Sequence, residues 1–220
     1  MKKVYALFII ALSCTTANAQ IKKGEIVLGG NLGYSDQYQG TTISGTTSSN
    51  QSKNFSIAPS FGRAIKDNLV LGFDVGYNHS RASYSPTPDN TGNGGAADIF
   101  LRKYKPLGNG FYLFGQSSLG GFYNHSKQND ETGASFESNS MNAYGFTLQF
   151  FPGIAYALNQ KWQLEAGLPN FFVIGWSHSK QTNIPLNAPE QDYVSHSFQL
   201  QSSITGSTAL TIGLRYFIGG

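Results

Sequence analysis

The chain is poor in cysteine, in charge and in long apolar runs, and each shortage excludes something. Cys14 is the only cysteine among 220 residues, so no intramolecular disulfide forms and the chain must be held by its fold alone. Charged residues make up 12% of the chain, about half the usual share for a soluble domain. The formal net charge is +3, and Lys2 and Lys3 supply two of those charges at the extreme N-terminus. The rest is nearly neutral, without the concentrated basic surface that phosphate binding needs, which argues against nucleic acid as a partner. No apolar run reaches the roughly 20 residues of a membrane-spanning helix. Nor does any run suggest a helical domain or a linker after residue 20.

What replaces charge is aromatic residues, 14% of the chain, and 26 glycines. Something apolar is therefore expected in place of water around much of the surface. At the N-terminus Lys2-Lys3, the run Val4–Leu12 and the small residues Ala17-Asn18-Ala19 have the order of a secretory signal peptide. The expected division is a signal peptide over 1–19, cut before Gln20, and one domain over 20–220. A lipoprotein cut before Cys14 is the alternative, but Ala11-Leu12-Ser13 is a poor lipobox.

The last stretch, Thr208–Ile218, organises the remainder. Leu210, Ile212, Leu214, Tyr216 and Ile218 alternate with Ala209, Thr211, Gly213, Arg215 and Phe217, the period of a strand with one apolar face. A terminal strand this apolar is an aggregation template unless another strand covers its edge, as in a closed sheet. The same alternation recurs seven times upstream, over about 25–34, 53–63, 69–78, 97–104, 111–123, 144–151 and 162–168. Three tight turns, at Lys66-Asp67-Asn68, Pro106–Gly110 and Asn159-Gln160, alternate with four long polar loops, including 36–52, 125–141 and 177–206. Strands of about ten residues, tilted about 45°, cross the roughly 25 Å apolar band of an outer membrane. The pattern predicts an all-β, eight-stranded antiparallel up-and-down transmembrane β-barrel. Pro59, Pro152 and Pro169 fall inside strands, and bulges are expected there.

Thr211, Gly213, Tyr216 and Ile218 resemble the C-terminal insertion signal of bacterial outer-membrane barrels, although Gly219 and Gly220 follow it here. With the signal peptide and the aromatic strand ends, the chain resembles the small outer-membrane β-barrel family, the OmpA/OmpX-like barrels of Gram-negative bacteria, over nearly all of 24–218. The resemblance implies insertion among outer-membrane lipids, assembly by the barrel-assembly machinery through the C-terminal strand, a monomer, and surface loops as the place of any interaction. It carries over no catalytic, cofactor-binding or metal-ligating residue, so none is assigned, and the loops have no motif that names a ligand.

The residue pattern still allows alternatives. A soluble lipocalin-like ligand-binding barrel would have apolar residues inside and charges outside, whereas Asp74, Arg102, Gln116, Gln149, Glu165 and Arg215 have inward parity. A lipid-modifying enzyme would use loop-proximal His and Ser. His79, His125, His178 and His196 are each followed by serine, but adjacent residues point to opposite faces of a strand. The histidines therefore read as interfacial, with a metal-binding ring as the other possibility. Inside, Glu165 and Arg215 should meet, Asp74 should approach Arg102, and Glu25 could reach Arg215. Tyr112, Phe114, Phe151 and Phe217 should fill the space, leaving no sizeable channel.

Overall fold

The computed structural model describes residues 21–43, 46–85, 89–129, 136–168, 171–185, 189–202 and 211–219; the expected signal peptide over 1–19 and Pro169-Asn170 lie outside them. The described strands are β1 (Ile26–Ile43), β2 (Thr46–Lys66), β3 (Leu69–Ser85), β4 (Asn90–Gly108), β5 (Phe111–Asn129), β6 (Phe136–Ala157), β7 (Trp162–Gly167), β8 (Phe172–Pro185), β9 (Gln191–Ser202) and β10 (Thr211–Ile218). All pairings are antiparallel, running from β1 through β6 as neighbours and closing where β10 pairs with both β7 and β1. The seventh and eighth expected strands are each in two pieces. β7 and β8 pair with the lower and upper parts of β6, and β9 and β10 pair with β8 and β7.

Outward residues of this cylinder are apolar and exposed. Ile99 is 61% exposed, Ile212 62% and Leu32 69%, while the inward Phe100, Val27 and Val70 are each 1% exposed. A soluble barrel has the reverse polarity, so the lipocalin-like reading does not fit this surface. The turns explain the short connections. Asn68 and Asn109 have φ of 59° and 50°, a left-handed conformation that asparagine tolerates better than most residues.

The strands run further outward than their apolar pattern. Residues 36–43, 46–52, 125–129, 138–141, 177–185 and 191–202 are ladder-paired rather than looped. The prolines also depart from expectation. Pro59 sits opposite Gly30 in an unshifted register, and Pro152 stands opposite Gly115 without a bulge. Pro152 instead marks the break on its other side, where β6 changes partner from β7 to β8 and Leu168 donates its N–H to the Pro152 carbonyl at 3.0 Å. A proline is tolerated there because no ladder partner needs its missing N–H. The shifts lie at Ala64/Lys66, Pro106/Gly108 and Phe136/Ser138.

Closure is tight below and open above. β1 pairs with β10 from Ile26↔Ile218 to Asn31↔Gly213. Among the described residues, neither the edge of upper β1 that faces away from β2 nor the far edge of β9 has a strand beside it. Tyr216 packs at a tilt against Trp162 of β7, ring centres 4.7 Å apart, and lies opposite Leu28 of β1, so it joins both neighbours of the closing strand. Tyr216→Ala should therefore slow folding and insertion into lipid vesicles, whereas removing Gly219 and Gly220 should leave them intact. Gel mobility of unboiled protein reads both, and the reverse ranking would show that the insertion signal is misplaced.

Candidate functional site

The lower half of the barrel is filled. Phe100, Tyr104, Tyr112, Phe114 and Phe217 are all buried with Val27, Val70 and Ala155, and Phe151 packs edge-on to Phe114 at 6.2 Å. Ile21, which precedes the first strand, is 4% exposed and accepts the Asn68 N–H on its carbonyl. The segment before β1 thus closes the periplasmic mouth, a plug with no periodic signature in the sequence.

Among these rings lies a charge cluster. Glu165 of β7 accepts from Arg102 Nη1 at 2.7 Å, from Arg215 Nε at 2.8 Å and from the Tyr104 hydroxyl at 2.9 Å. Arg102 also donates to Gln116 Oε1 at 2.7 Å, and Arg215 to Ser60 Oγ at 2.7 Å. Arg102, Glu165 and Arg215 are 2%, 5% and 3% exposed. The Arg102 guanidinium also lies 4.5 Å from the centre of the Phe114 ring, a favourable site for a desolvated cation. Five strands, β2, β4, β5, β7 and β10, thus converge on one carboxylate.

The expected meeting of Glu165 and Arg215 is present. They are diagonal neighbours, because Gly213 stands opposite Glu165 and Gln163 opposite Arg215. Two other expected contacts are corrected. Asp74 stands opposite Asp98, with Arg102 opposite Val70, so Asp74 reaches the cluster through Gln116 at 3.4 Å rather than through Arg102. Glu25 lies four residues below Gly29, the partner of Arg215, and Arg215 is taken up by Glu165 and Ser60 instead.

Over the cluster opens a cavity of about 250 Å³ whose walls include Asp74, Asp98, Gln116, Gln149 and Ser118. Higher still the inward residues are small and polar, such as Ser80, Gly92, Asn124 and Ser126. The interior is therefore a polar well, stopped below by paired charges and aromatic rings. It can hold water and small polar solutes, but it presents no nucleophile activated by a neighbouring base among the described contacts.

The histidines face outward, just above the apolar band. His79 Nδ1 is 2.9 Å from Asn93 Oδ1, which also accepts from the Tyr77 hydroxyl. His125 Nδ1 is 2.8 Å from Asn142 Oδ1, which accepts from the Tyr123 hydroxyl. His178 stands opposite His196. The structure thus separates the histidines into three places around the wall instead of one ring, and Ser80, after His79, has inward parity. Above them, exposed ion pairs join the outer hairpins. Hydrogen bonds from Arg81 hold the Asp89 carboxyl below its ordinary range, and Lys180, 2.8 Å away, does the same for Asp192.

No protein-family model matches the chain, and no curated protein matches it in sequence. Solved structures do. The outer membrane protein OprG from Pseudomonas aeruginosa aligns with a TM-score of 0.52 and 13% identity, over 92% of this chain and 99% of that one. A major outer membrane protein from Thermus thermophilus gives a TM-score of 0.49 at 10% identity, over 89% of this chain and 99% of that one. Neisserial surface protein A gives 0.41 at 15%, over 88% and 97%. The likeness to OprG is one of fold, and the fold is that of a small outer-membrane β-barrel. The exposed belt of leucine, isoleucine, phenylalanine and tyrosine is the surface that a bilayer covers in such a fold.

Proposed function

We propose that this protein is a non-enzymatic, monomeric integral barrel of the outer membrane, assembled through β10, which anchors ladder-paired hairpins at the cell surface as its interaction surface. The observation that supports this reading is the stopped interior. A route for solutes needs a continuous wet path, and here Arg102 and Arg215 both bond to Glu165 across the bore among packed aromatic rings. The polar hairpins, by contrast, extend beyond the apolar belt with their side chains available, the upper part of β9 from Gln191 to Ser197 being exposed at every position.

Purified protein reconstituted into planar bilayers should show no long-lived conducting level. A steady open level in the intact protein would defeat the anchoring role and make the well a pore. The hairpin role is read separately: removing residues 40–48, a range that takes in the last described pairs of the β1–β2 ladder, should leave folding unchanged and alter binding to surface-exposed partners of the native host.

A further inference from the structure

His178 and His196 are the pair that sequence periodicity does not bring together. They occupy directly opposed positions on β8 and β9, and their Nδ1 atoms face each other at 3.3 Å. Zinc–imidazole bonds of about 2.0–2.1 Å at a tetrahedral angle set two ligand nitrogens about 3.3–3.4 Å apart. The pair thus already has the separation of two tetrahedral zinc ligands, while tetragonal copper(II) would draw the two exposed rings closer together. We infer that His178 and His196 form a two-imidazole site for a borderline-soft divalent transition metal, copper(II) or zinc(II), with water completing the coordination.

The surroundings favour this use. Tyr144 packs on the His178 ring at 5.0 Å and Trp176 lies along the His196 ring at 6.1 Å, so both imidazoles are oriented before binding. The nearest outward cation on β8, Lys180, is 2.8 Å from Asp192, which offsets its charge. Imidazole suits both metals, and copper(II) binds such ligands more tightly than zinc(II). Among the described residues no group of three or more His, Cys, Asp and Glu side chains gathers to hold a metal. The site is therefore open, able to take a ligand from outside in its remaining positions, rather than a closed structural centre.

The other two histidines are built differently, each with its Nδ1 beside an asparagine carbonyl oxygen, and they provide the internal control. Metal binding would also have a structural effect, because among the described residues β9 is paired along the β8 edge alone. An ion shared by His178 and His196 clips that strand to the wall and stabilises the state that binds it.

The probe is copper(II) alone, titrated calorimetrically into chelator-treated, full-length protein in detergent micelles. One ion should bind per chain, and His178→Gln or His196→Gln should weaken it roughly tenfold or more, since losing a ligand costs at least what losing one of its outer-shell partners does. The His79→Gln/His125→Gln double variant should bind as the wild type does. Both site histidines lie on the outer surface, so the variants should fold, which unboiled gel mobility checks. If one does not, the electron paramagnetic resonance spectrum of copper-loaded wild type decides, with two nitrogen ligands expected. No stoichiometric binding, a single-nitrogen spectrum, or equal weakening in the control variant would overturn the site.

Discussion

Glu165→Gln should be among the most damaging conservative substitutions in this chain, lowering the stability of the folded barrel by about 3–5 kcal/mol, the range for removing one partner from a buried charge group. Glutamine fills the same volume, so packing is nearly unchanged and the loss is electrostatic. It leaves Arg102 and Arg215, both buried, facing a neutral amide in place of their shared carboxylate. Arg215→Met should cost less. Glu165 then retains Arg102 and Tyr104, and the orphaned group is the Ser60 hydroxyl. The double variant should be less damaged than the sum of the two singles, because one change removes the charge that the other strands. Urea unfolding in lipid vesicles, read on unboiled gels, measures the cycle. Strictly additive losses would mean that the close approach of Glu165 and Arg215 carries no energy.

That Glu165 and Arg215 meet was readable in advance because each has inward parity and each lies three residues from the periplasmic end of its strand, at Trp162 and Ile218. The same counting fails for Asp74 and Arg102. Apolar alternation fades before the end of β4, which runs on through Lys103, Lys105 and Leu107 to Gly108. Arg102 stands opposite Val70, four residues below Asp74 on β3, so the two share inward parity but not depth, and parity alone does not pair them. The shared cause is that periodicity reports only what is buried on one side. Inside the bilayer the outer face must be apolar and the pattern is legible. Beyond it both faces are wet, as in Ser177–Pro185 and Gln191–Ser202, so paired strands read as loops and the His178–His196 register is hidden. The Ile21 plug is invisible for the same reason, since a single apolar residue has no period.

Glycines inside the barrel set the second large effect. A Cβ added at Gly72 would lie 2.4 Å from the Phe61 carbonyl oxygen, 2.5 Å from the tip of the Phe100 ring and 2.8 Å from the Gly62 Cα. Gly62 and Phe100 are the two ladder partners of Gly72 on β2 and β4, so the Phe100 ring lies over a pair of glycines and has no slack on that side. On its other side it meets Arg102 and Arg215, at 5.8 and 5.9 Å from the ring centre. A displaced ring would therefore press on the charge cluster. Gly72→Ala should cost about 1–3 kcal/mol, the range for overpacking, and Gly72→Val more, because backbone atoms as well as the ring obstruct it. Gly95→Ala is the control. Its new methyl would face the bilayer, with the Gly76 carbonyl oxygen at 3.7 Å as the nearest obstacle, and it should be nearly neutral. Phe100→Leu in the Gly72→Ala background should recover part of the loss by removing the ring tip while leaving the Phe61 carbonyl in place. Urea midpoints for the four proteins in vesicles test the ranking. Equal losses for Gly72→Ala and Gly95→Ala would show that glycine in these strands serves backbone entropy or curvature, not room for Phe100.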